Sequence, residues 1–136
     1  QLGLIGSAQA SGLTATALGN VSTSNLPSLS NAALGAFTSV QVAALGTNIT
    51  STQITALSAA GITGVSTTSL NGLSTADIQA ISTKDIAALT ATQVGGLGTA
   101  QVQNLTSFQV AALTYSQVAT LISEIATSQI QYLSVV

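Results

Sequence analysis

The feature that most constrains this 136-residue chain is a period of eight. One apolar series runs Ile54, Ile62, Leu70, Ile78, Ile86, Val94, Val102, Val110 and Val118. A second follows three residues later as Leu57, Val65, Leu73, Ile81, Leu89, Leu97, Leu105, Leu113 and Leu121. Towards the N-terminus the pairs continue as Val42/Leu45, Leu34/Phe37, Leu26/Leu29, Leu18/Val21, Ala10/Leu13 and Leu2/Ile5, once four extra residues are allowed between Leu45 and Ile54. Towards the C-terminus Ile130/Leu133 follows a second four-residue insertion near Ile122 to Ile125. The chain therefore reads as a single repeat domain over 1–136, with degenerate octads in 1–49, regular octads in 50–121 and a C-terminal segment in 122–136.

The polar residues keep the same time. Each regular octad opens on a hydroxyl residue, at Thr50, Ser58, Ser66, Ser74, Ser82, Thr90, Thr106 and Thr114, with Gly98 as the exception. Counting that residue as position 1, position 4 holds Gln53, Gly61, Ser69, Asp77, Asp85, Gln93, Gln101, Gln109 and Gln117, and the two apolar series occupy positions 5 and 8. Ser/Thr-x-x-Gln/Asp approximates a capping box, in which the hydroxyl accepts from the third helical N–H while the residue there reaches back to the cap's own N–H. Asp77 and Asp85 sit in the first helical turn, where the helix dipole favours a negative charge. Isolated matches are cheap in so hydroxyl-rich a chain, but repetition in register predicts a new short helix every eight residues, with positions 5 and 8 on one face.

One continuous helix is excluded by geometry. Eight residues advance about 800° at 3.6 residues per turn, so the apolar stripe would rotate by roughly 80° at each repeat and no partner could follow it. A β-solenoid is the alternative, since short rungs rich in Thr, Val and Ile also repeat with fixed periods. Positions 5 and 8 are an odd number apart, however, so an uninterrupted strand would point them to opposite faces. Gln-Val-Ala-Ala-Leu and Asp-Ile-Ala-Ala-Leu also favour helix over strand. The expected fold class is all-α, a solenoid of very short capped helices.

Helices of six or seven residues are well below the roughly 12 to 15 that are marginal alone in water, so stability must come from stacking. Position 7 supports close stacking, for it holds Ala44, Ala56, Gly64, Gly72, Ala80, Ala88, Gly96, Asn104, Ala112 and Thr120. Nothing bulky stands there, as expected where backbones approach. Six octads, an insertion, nine octads and a second insertion are compatible with three octads, about 24 residues, per superhelical turn if the insertions extend corners.

Composition narrows the function. Cys, His, Met and Trp are absent, Lys84 is the only basic residue, and Asp77, Asp85 and Glu124 are the only acids. General acid–base catalysis, metal binding and phosphate handling require side chains that this chain does not gather, so no catalytic, cofactor-binding or metal-ligating residue is assigned, no cofactor is expected, and the chain is not expected to be an enzyme. A net charge of −2 gives no basic face for nucleic acid. Ser, Thr, Gln and Gly interrupt every apolar run well short of the roughly 18 to 20 residues of a membrane helix. Lys84 falls at a variable position and reads as a solvated side chain. Phe108 and Tyr115 also occupy variable positions and are expected to point outward, as contact residues or isolated surface aromatics. The sequons at Asn20, Asn48 and Asn104 carry little weight in such a composition.

The phrases "TATQVGGL", "TSFQVAAL" and "TYSQVATL" resemble the octad-repeat tracts of very large bacterial secreted or surface proteins of the adhesin and filament type. The resemblance implies a structural, extracellular role and transfers no ligand or catalytic residue. With net charge near zero, little repulsion opposes association. The apolar stretches "QLGLIG" and "IQYLSVV" stand where a soluble solenoid places polar capping repeats, which favours head-to-tail self-association into a fibre. The expected function is a self-assembling subunit of an extracellular bacterial filament, with cell-surface or matrix contact. The alternatives are a repeat module whose Thr residues bind ice or carbohydrate, and a passive stalk of a giant adhesin.

Overall fold

The computed structural model describes residues 2–133, and among them the chain forms only short helical turns and their connections, with no strand. The α-helices are α1 (Ser7–Ser11), α2 (Ala15–Gly19), α3 (Asn31–Ala36), α4 (Ser39–Leu45), α5 (Ser51–Ile54), α6 (Ala59–Ile62), α7 (Thr67–Asn71), α8 (Thr75–Ala80), α9 (Thr83–Ala88), α10 (Ala91–Gly95), α11 (Thr99–Gln103), α12 (Ser107–Ala111), α13 (Tyr115–Leu121) and α14 (Thr127–Ile130). Single 3-10 turns lie at Leu2–Leu4, Leu26–Ser28 and Gly46–Asn48. The fold is an all-α solenoid of short helices, and the β-solenoid alternative is excluded for the described residues.

Every regular octad begins where its hydroxyl predicts. Thr50, Ser58, Ser66, Ser74, Ser82, Thr90, Thr106 and Thr114 are N-caps in extended conformation, and each side chain accepts from the N–H three residues on. Thr14, Ser30 and Thr38 do the same in the degenerate region. Helices this short never satisfy their own termini, so the side-chain caps meet a need that recurs at every octad. The octad around Leu26 and Leu29 departs from the rule. It forms a 3-10 turn with Pro27 near its start, where the missing N–H is harmless.

Positions 5 and 8 make one narrow continuous core. Ile54, Ile62, Leu70, Ile78, Ile86, Val94, Val102 and Val110 are almost fully buried, as are Leu57, Val65, Leu73, Ile81, Leu89, Leu97, Leu105 and Leu121. Phe37, the largest side chain inside, fills position 8 of its degenerate octad. Burying such side chains contributes about 1.5–3 kcal/mol each, and no octad has enough of them to be stable without its neighbours.

Two separations define the superhelix. Helices 24 residues apart pack together, as in α1 with α3, α7 with α10 and α10 with α13. Side-chain hydrogen bonds also join position 4 to carbonyls 28 and 31 residues earlier, in the octad four back, as from Gln93 to Val65 and Ile62. Each octad thus touches those three and four before it, and a turn of the solenoid lies between 24 and 32 residues. The expectation of three octads per turn is corrected accordingly.

The insertions are also not corner extensions. Across the first, α4 packs on α6, whose caps Thr38 and Ser58 are only 20 residues apart, and Gln53 bonds to Leu26, 27 residues back. Counting residues 46–49 as one unit restores separations of three and four units. Ile49 supplies its apolar position 8, and in the second insertion Ile125 does so, while Ile122 stays exposed. The half-unit is entered through Gly46, whose φ of 59° is one that only glycine adopts without strain.

Candidate functional site

The most organised chemistry in the molecule lies at position 4. Gln41, Gln53, Gln93, Gln101, Gln109, Gln117 and Gln129 are all buried, although glutamine is normally a surface residue. Each Oε1 accepts from the N-cap backbone N–H three residues earlier, at 2.8–3.0 Å, which is the expected capping-box arm. Gly98, which lacks a hydroxyl, and Ala126 are held at their helix starts by this arm alone, from Gln101 and Gln129. Each amide therefore orients its own helix start.

The other end of the amide faces the preceding turn. Nε2 of Gln41 donates to the carbonyls of Ala10 and Leu13, at 2.8 and 2.6 Å. Gln93 reaches Ile62 and Val65, Gln101 reaches Leu70 and Leu73, Gln109 reaches Ile78 and Ile81, and Gln117 reaches Ile86 and Leu89. Gln129 donates to Val102 and Leu105. The accepting carbonyls belong to positions 5 and 8, the core positions of the earlier octad. Those at position 5 also accept from the position 8 N–H of their own octad, as Ile62 does from Val65 and Ile78 from Ile81, whereas those at position 8, just past the helix, take their donor from the glutamine. A neutral amide with one acceptor and two donors satisfies the start of one helix and the end of another at once. Among the described residues no buried side-chain nitrogen or oxygen lacks a partner.

Sequence reading assigned position 4 to capping and missed its second role. A signal was present. A capping arm needs only an acceptor, and next to a helix N-terminus Glu should be preferred to Gln, yet the regular octads use Gln five times and Glu never. Aspartate supplies the acceptor alone. Ser74 N–H and Oγ both donate to Asp77 Oδ2, at 3.1 and 2.7 Å, and Ser82 Oγ donates to Asp85 at 2.6 Å, but a carboxylate has nothing to give the turn below. Hydrogen bonds from Ser74 hold Asp77 below the usual carboxylate range against the opposing effect of desolvation, with a lesser contribution from the nearby Ser51 hydroxyl.

The remaining singled-out residues are dispersed. Lys84 is exposed, and Phe108 and Tyr115 project outward at 78 % and 91 % exposure, as their variable positions predict. Asn20, Asn48 and Asn104 are exposed as well. Position 7 is mixed. At Gly64 and Gly96 an added Cβ would collide with Ser39 and Thr67 of neighbouring turns, whereas at Gly72 it would meet only its own turn. Among the described residues no three His, Cys, Asp or Glu side chains gather, and no helix is long and apolar enough to cross a membrane. The apolar end segments include Leu4, Ile130 and Tyr132, which are exposed, while Gln1 and residues 134–136 lie outside the described residues.

Comparison with known proteins agrees with the repeat reading. The family model described as the ALTTAQ repeat matches residues 70–107. Within that stretch Ala88–Gln93 reads Ala-Leu-Thr-Ala-Thr-Gln, the small residue, core leucine, cap and ladder glutamine of two adjoining octads. The chain is thus a repeat-containing protein. Neither the curated proteins nor the solved structures give a match.

Proposed function

We propose that this chain is a structural protein, not an enzyme, and serves as a self-assembling subunit of an extracellular bacterial filament. The observation that carries the reading is the direction of the glutamine ladder. Donors point towards earlier octads and acceptors face later ones, so any stack built this way presents donors on one end face and acceptors on the other. Gln9 occupies position 4 of an early octad, accepts from Gly6 N–H at 3.2 Å and is exposed, and its Nε2 has no partner among the described residues. A second copy whose position 5 and 8 carbonyls lie below it would supply acceptors, in a heterologous contact that propagates. The side chains of specific chemistry are nearly all omitted, and those that link turn to turn are repeated.

The passive-stalk reading shares this geometry, with the preceding turn of a longer chain below Gln9. The ice- or carbohydrate-binding reading is disfavoured, because the regular threonine hydroxyls accept from helix N–H groups as caps. Concentrated protein viewed by electron microscopy should show unbranched filaments that shorten or vanish in Gln9→Ala. Dispersed monomers at all concentrations would reject self-assembly and leave the stalk.

A further inference from the structure

The ladder has one complete gap. Position 4 of four consecutive octads holds Gly61, Ser69, Asp77 and Asp85, none of which donates to the turn before it. More generally, among the described residues no hydrogen bond, backbone or side-chain, joins residues 2–57 to residues 58–133. Before the gap, Gln41 and Gln53 tie back to Ala10, Leu13 and Leu26. After it, the earliest acceptors are Ile62 and Val65, themselves beyond the gap. The Ser51 hydroxyl does approach Asp77 across the gap, but no position 4 side chain there reaches the carbonyls of the turn before.

The two sides still touch closely. α4 and α3 pack on α6, and the Gly46–Asn48 turn packs on α7. A Cβ at Gly61 would lie 2.9 Å from the Phe37 carbonyl oxygen, so backbone here occupies the space that a position 4 glutamine fills elsewhere, and a Cβ at Gly64 would collide with the Ser39 backbone. Farther round the same turn the fit opens. A cleft of about 420 Å³ lies between Thr47, Ile49 and Ser51 on one side and Thr68, Ser69 and Gly72 on the other. By the ladder's own arithmetic, a donor at position 69 would serve the carbonyls of Val42 and Leu45, and one at position 85 those of Ile54 and Leu57.

We infer that the full turn of contact between residues 30–57 and 58–89 is a built-in plane of separation, along which the solenoid opens into two blocks before either block unfolds. A uniform repeat stack frays progressively from its ends, because each interface is like the next. Here one interface lacks every glutamine rung that the others have, and the block before it, with only Gln41 and Gln53 as rungs, opens first.

Hydrogen exchange with mass spectrometry, followed through a urea series on the full chain, reads this directly. Amides of residues 2–57 should lose protection together at a lower urea concentration than those of 58–133, with the step at the 57/58 junction. The double variant Ser69→Gln/Asp85→Gln, which supplies the absent donors, should bring the two steps together. Gly64→Ala should move only the first step to lower urea. Protection that declines smoothly from both ends, or a step elsewhere, overturns the inference, and so does an unchanged step in a folded double variant. If that variant fails to fold, the position of the wild-type step and the Gly64→Ala shift decide.

Discussion

At the scale of the residue, the fold depends on glutamine being neutral, long and bifunctional. Gln109 is 1 % exposed, with Oε1 on Thr106 N–H and Nε2 between the carbonyls of Ile78 and Ile81. Gln109→Glu keeps the shape and the acceptor but sets a carboxylate against two carbonyl oxygens. Leaving buried polar groups unpaired costs about 1–3 kcal/mol each and more for charges, so about 3 kcal/mol or more should be lost at neutral pH. Burial raises the folded pKa of such an acid. The penalty is then absent below the unfolded value of about 4.3, where the protonated acid donates once, and grows as pH rises to the folded value. Urea unfolding of the variant at pH 3 and pH 7, each against the parent, checks the sign. A loss independent of pH would show that the side chain is not buried against carbonyls.

At the scale of the element, each octad is a cap, one turn of helix and two core side chains, and this much was legible because all three signals recur in register. The cap at Thr106, the buried Val110 and the outward Phe108 all follow from spacing alone, whereas Leu113, expected in the core, is only half-buried. Thr106→Ala should cost about 1 kcal/mol in thermal or urea unfolding, whereas Gly98→Ser should gain a few tenths. The space permits the serine, since a Cβ at Gly98 would meet nothing nearer than 3.4 Å. The half-units were less legible. Nothing local in Gly46-Thr-Asn-Ile49 says that four residues will occupy the place of eight. That follows only from which turn lies beneath, a long-range relation that a one-dimensional pattern does not carry. The donor role of position 4 was hidden for the same reason, since its partners lie 28 and 31 residues away.

At the scale of the whole molecule, the octads behave like residues of a larger helix, each in contact with the third and fourth before it. The hydroxyls and glutamines close the polar ends of helices too short to close their own, and the isoleucine, valine and leucine series supply the core. The central claim is that the position 4 amides bind turn to turn. It is tested most directly by side-chain amide hydrogen exchange measured by NMR. The Nε2 protons of Gln93, Gln101, Gln109 and Gln117 should exchange slowly, at rates that follow those of the neighbouring backbone amides, whereas those of exposed Gln103 should exchange at the free-amide rate. Equal, fast exchange at all five would contradict the ladder.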